Sequence, residues 1–233
     1  MARKFNKNMF VMLFAIMIGA IIVTYFAADI VNKTKIDTLT SRYEGEITSV
    51  KGKSENFTSR FLRSSVILDL SREDRSFGNY HFDLAFLWYQ SALSEKNSTI
   101  MDTYKLRGID NCTNAMPYYY NSNLNFNEAN KFFKETKNHT EVEKYLDMLD
   151  LYVKLTKSGS TLTMLRYNAS QYLMFLTENL TFNFETNNVT YLTNVSQNLA
   201  AFLAAVSAYQ EEVENYDEIQ DEIDEYEFFD EER

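Results

Sequence analysis

The feature that most constrains this chain is a run of 20 uncharged residues, Met9 to Ala28, near its N-terminus. As a helix rising ~1.5 Å per residue, such a run spans the ~30 Å hydrocarbon core of a bilayer. We read 9–28 as a single transmembrane signal anchor. Residues 1–8, with Arg3, Lys4 and Lys7, form a short basic N-terminus that the positive-inside rule leaves in the cytoplasm. Lys33, Lys35 and Arg42 beyond the run reduce that asymmetry. The rival reading is a cleaved signal peptide. Its apolar region would be ~7–15 residues with an Ala-x-Ala-like site, whereas Phe26 stands two places before Ala28. No second stretch approaches this length, so one membrane pass is expected, with the bulk of the chain extracytoplasmic. The run holds no ionisable residue and therefore reads as an anchor. Ala15 and Gly19 offer a small-residue face for helix contact.

Asn-x-Ser/Thr occurs nine times, at Asn32, Asn56, Asn97, Asn111, Asn138, Asn168, Asn179, Asn188 and Asn194. With 22 Asn and 36 Ser plus Thr in 233 residues, chance gives 22 × 36/233, about 3. All nine follow the apolar run. They are candidate N-glycosylation sites of an ectodomain, Asn32 lying too near the membrane. Asn serving as helix cap and loop residue is the other account of them.

Beyond the anchor the chain reads as all-α: a helical ectodomain over 29–210 and an acidic tail over 211–233. Six Gly and one Pro leave few tight turns for a sandwich or barrel, and 18 Phe with 16 Tyr can fill a core. Ile36, Leu39, Tyr43, Ile47 and Val50 mark one helical face. Gly52 and Ser54 suggest a break, followed by helices over 55–71, 78–95 and 98–107, the last capped near Asn97 or Ser98. Residues 108–127 hold the only Pro and read as an irregular loop. Thr140 to Glu143 has the form of a capping box, Ser158-Gly159-Ser160 of a helix break, and Thr186 to Asn188 of a turn. Leu192, Val195, Leu199, Phe202, Val206, Tyr209, Val213 and Tyr216 alternate spacings of 3 and 4, a heptad pattern suited to a bundle or to self-association.

Residues 211–233 carry 13 acids and one Arg, a formal −12, against +2 for the remainder. With no Lys to offset them, these carboxylates oppose the helix dipole, and fraying past about 217 is expected. The tail is interleaved with Ile219, Ile223, Tyr226, Phe228 and Phe229.

Chemistry is poorly supplied. The chain lacks the phosphate-binding, dinucleotide-binding, nucleophile-elbow and zinc-protease motifs and has only two His, His81 and His139. No enzyme activity, cofactor, metal or nucleic-acid partner is expected. Glu143, Asp147 and Asp150 read as a solvated helix face. Cys112 lies in the loop, free or able to pair two chains. Tyr118, Tyr119 and Tyr120 on that loop, with Phe228 and Phe229, are candidate interaction residues. The expected function is a single-pass, N-glycosylated surface protein with a helical interaction domain. The alternative is a ligand-binding helical ectodomain serving as accessory to a sensor or transporter.

Overall fold

The computed structural model describes residues 7–226, with side chains from residue 38 onward. The 9–28 run, Asn32, Phe228 and Phe229 lie outside the residues whose side chains are described. The chain divides into two units, 1–53 and 54–233. Among the described residues the protein is mostly helical: α1 (Lys7–Ser94), α2 (Ser98–Thr136), α3 (Glu143–Glu178) and α4 (Ser196–Asp224). A 3-10 turn, Lys137–His139, follows α2. A two-stranded hairpin, β1 (Leu180–Asn183) and β2 (Asn188–Tyr191), joins α3 to α4. Its strands pair antiparallel, Leu180 opposite Tyr191 and Asn183 opposite Asn188. Asn187 turns the tip at φ 54, a conformation Asn tolerates.

In the unit 54–233 the helices pack by a strict seven-residue repeat. In α1 one core position is held by Ser64, Ser71, Gly78, Ala85 and Ala92, all buried. In α2 it is held by Gly108, Ala115, Ser122, Ala129 and Thr136, and the large partner position by Cys112, Tyr119, Phe126 and Phe133. Small residues let helix backbones approach, and large ones from the facing helix fill the holes. A Cβ on Gly78 would lie 2.7 Å from Tyr119 Cε1, and one on Gly159 would lie 2.3 Å from Phe126 Cε1. Most buried hydroxyls are satisfied within their own helix: Ser64, Ser71, Thr156, Ser170 and Thr177 each donate to the carbonyl four residues back, whereas Ser122 donates to the Ser71 carbonyl of α1.

These contacts correct several sequence expectations. Gly52 and Ser54 do not interrupt α1, and 55–71 and 78–95 belong to that one helix. The 108–127 segment is not a loop but the middle of α2. Pro117 sits on its exposed face, where the carbonyl of Thr113 that it leaves unpaired can meet water. Ser158-Gly159-Ser160 lies inside α3, where Gly159 admits the Phe126 ring. The Thr140–Glu143 box is not formed: α3 starts at Glu143 with Val142 as N-cap, and Thr140 Oγ1 accepts only from the Val142 amide. The helix start at Ser98 is as expected. Asn97 is its N-cap, its Oδ1 accepting from the Thr99 and Ile100 amides at 3.0 and 3.2 Å.

The α4 heptad is a bundle seam. Phe202, Tyr209 and Tyr216 are buried, with Leu199, Val206 and Val213 packed beside them. Helix α4 also outlasts the expected fraying at 217. Ile219 and Ile223 pack on the core, and the Tyr226 hydroxyl donates to the Lys144 carbonyl at 2.7 Å. In the unit 1–53, Leu39, Tyr43, Ile47 and Val50 of α1 are exposed.

Candidate functional site

A polar layer separates the two apolar clusters of the bundle. The Arg166 guanidinium lies between the Phe82 and Tyr209 rings, 4.2 and 4.0 Å from their centroids. Arg75 lies 4.4 Å over Tyr216. The Tyr119 hydroxyl donates to Asn79 Oδ1 at 2.8 Å, and Asn79 Nδ2 donates to the Tyr209 hydroxyl at 3.2 Å. Burial raises the Tyr119 phenol well above its usual range. Ring faces, rather than carboxylates, hold the two cations, and Arg75 Nη1 and Arg166 Nε have no hydrogen-bond partner. Sequence reasoning missed this layer. The signal was available: Arg75 stands seven residues from both Leu68 and Phe82, and Arg166 seven from both Gly159 and Leu173.

A groove of about 450 Å³ runs between α3 and α4, lined by Lys154, Lys157, Ser158, Glu212, Asn215 and Glu218 among others. Ser158 Oγ donates to Glu212 Oε1, and Asn215 Nδ2 donates to the same oxygen at 2.8 Å. The groove presents a hydroxyl, an amide, ammonium groups and carboxylates, a set able to bind a small zwitterion. It contains no imidazole or thiol to activate the serine. Among the described residues no cluster of His, Cys, Asp and Glu could hold a metal ion.

The expected interaction and reactive residues are dispersed. The three tyrosines share one turn of α2 and point different ways. Tyr119 is fully buried, Tyr120 is 57% exposed, and the Tyr118 ring lies 5.5 Å from Phe77 and stacks on His81 at 5.7 Å. They are therefore not a loop patch. His81 Nδ1 pairs with Asn111 Oδ1 at 3.1 Å, and His139 ends the 3-10 turn. Glu143, Asp147 and Asp150 are exposed, Asp150 pairing with Lys137. Cys112 is fully buried rather than held on a loop, and burial pushes its thiol up to about 12. The folded chain is thus expected to resist thiol labelling at pH 8 and to take one label per chain only after denaturation. Labelling of the native chain at the rate of a free peptide thiol would contradict that burial.

Asn56, Asn97, Asn138, Asn188 and Asn194 are exposed, whereas Asn111, Asn168 and Asn179 are half-buried. Asn194 Oδ1 accepts from the Ser196 amide at 3.0 Å, a turn bond just ahead of α4 that, like the cap of Asn97, is made through Oδ1. Asn111 and Asn179 instead spend Nδ2 on the carbonyls of Arg107 and Phe175, each at 2.9 Å. Among the residues whose side chains are described, which do not include 9–28, no helix is long and apolar enough to cross a membrane.

No family model, curated protein or solved structure matches the chain.

Proposed function

We propose that this chain is a single-pass membrane-anchored surface protein whose helical bundle is an interaction domain. Residues 9–28 serve as the anchor and residues 1–8 stay in the cytoplasm. The observation that carries the reading is the uncharged 20-residue run followed by nine sequons, all on its C-terminal side. The filled interior adds support, because arginine and tyrosine side chains occupy the bundle's polar layer. Extraction of membranes with alkaline carbonate tests the anchor. The full chain should stay in the pellet, and a chain beginning at Asp29 should be released. Release of both would overturn the reading.

Capping and glycosylation are not exclusive in this bundle, since caps use Oδ1 and glycans attach to Nδ2. We expect glycans at the exposed Asn56, Asn97, Asn138, Asn188 and Asn194. Asn97→Gln should then remove one step of mass and Asn111→Gln none, as read by gel shift before and after deglycosylation.

The groove between α3 and α4 favours a second reading, a ligand-binding ectodomain serving as accessory to a sensor or transporter. Its polar, doubly charged lining suits a free amino acid. Calorimetric titration with a panel of amino acids, against a Lys157→Ala, Glu212→Ala variant, decides it.

A further inference from the structure

The outer faces of the helices differ. Helix α3 exposes mostly polar side chains, among them Lys154, Lys157, Thr161 and Gln171, with Met164 and Phe175 as apolar exceptions, α4 exposes Ser207, Gln210, Glu211 and Glu214 with Leu203, and α2 exposes Ile100, Leu106, Tyr120 and Leu124. Helix α1 instead carries Leu62, Val66, Leu70, Phe77, Tyr80 and Leu87, between 48% and 60% exposed. From Val66 onward they fall on positions 66, 70, 73, 77, 80, 84 and 87, the 3.5-residue period of a helix–helix seam, with Glu73 at one position and the half-buried Leu84 at another, on the side opposite the core positions Leu68, Gly78 and Ala85. Half-exposed side chains of this size leave roughly 600 Å² of apolar surface, the top of what one monomer patch usually shows and near the ~800 Å² a side of a standard interface. Tyr118 packs beside the seam through Phe77. No sequon falls between Leu62 and Leu87.

Charge decides the occupant. Glu73 stands in the seam, and Asp69, Asp74 and Asp83 flank it. Of the nearby cations, Arg63 lies over Phe132, and Arg72 donates to the Tyr216 hydroxyl and Gln220 and pairs with Asp69 at 3.4 Å, so Glu73, with Asp74 and Asp83 beside it, sets the charge of the seam. A second copy laid parallel would set Glu73 against its own equivalent and Asp69 against Asp74. Laid antiparallel about the middle of the seam, it would set Asp74 against Asp74 and Asp69 against Asp83. Both self-pairings oppose like charges. We propose that the outer face of α1 over residues 62–87 is a docking surface for a basic amphipathic helix of another protein. Its apolar seam would cover Phe77 and Tyr80, and its Lys or Arg residues would meet Glu73 and the flanking aspartates.

The test uses the full chain in nanodiscs of zwitterionic lipid, with empty discs subtracted. Two fluorescent synthetic helices of about four heptads serve as probes, sharing a leucine seam and carrying either lysine or glutamate at the flanking positions. The lysine helix should bind saturably and the glutamate helix at least about tenfold more weakly. Phe77→Asp, at an exposed position, should abolish binding of the lysine helix with the circular dichroism unchanged. Non-specific attraction to a chain of net charge −10 predicts the reverse, tighter binding to the more acidic variant, and would overturn the proposal. Absence of binding, or equal binding of both helices, would also overturn it. Self-crosslinking of a Tyr80→Cys variant without any probe would assign the seam to a second copy instead.

Discussion

Phe126→Ala is expected to lower the unfolding free energy by roughly 3–5 kcal/mol, the range for removing a fully buried aromatic ring. The Phe126 ring is wholly excluded from solvent, meets Tyr216 edge-on at 6.5 Å and lies over the Gly159 backbone. Truncation leaves a hole lined by a glycine, which has no side chain to move into it. The converse change is Gly159→Ala. Its new Cβ would lie 2.3 Å from the ring, and the ring is too enclosed to swing away. Overpacking of this kind costs ~1–3 kcal/mol, partly offset by the ~1 kcal/mol that Ala gains over Gly in a helix. The two changes should couple. In the Phe126→Ala background the methyl enters the vacated space, so Gly159→Ala should raise stability. Urea unfolding of the four chains of this cycle reads the coupling directly. Additive effects would mean that the ring does not rest on Gly159.

Ile18→Asp with Ala20→Asp should move the chain from the membrane pellet to the soluble fraction. An aspartate at the centre of a spanning helix costs ~2.5–3.5 kcal/mol on insertion scales, so two cost roughly 5–7 kcal/mol. Ile18→Leu with Ala20→Leu should leave the chain in the pellet. Because a helix can form in either variant, the comparison isolates the apolar character of 9–28 from its length. A chain retained by the membrane with both aspartates present would mean that some other segment holds it there.

The helical class and the α4 seam were legible in the sequence because large apolar residues mark that seam at the right spacing. The start of α2 was legible through Asn97, whose side chain caps it. The middle of α2 was hidden. Its core positions are Gly108, Ala115, Ser122 and Ala129, too small to register as hydrophobic periodicity, and its exposed face is rich in Asn with a Pro. The same physics hid Gly159: a glycine that admits a neighbouring ring resembles one that ends a helix. Gly52 is different. A Cβ there would meet nothing within 4 Å, and α1 simply continues through it. The hairpin was visible only as a turn, since four-residue strands carry too little alternation to read. Arg75 and Arg166 were hidden because charge ordinarily signals surface, whereas in this bundle aromatic faces hold it inside.

Protease treatment of intact cells shows on which side of the membrane residues 29–233 lie. The domain should be digested from outside. The undigested chain should run above 27.3 kDa and fall to that mass on deglycosylation. A chain protected from protease until the cells are opened, and unshifted in mass, would contradict this placement.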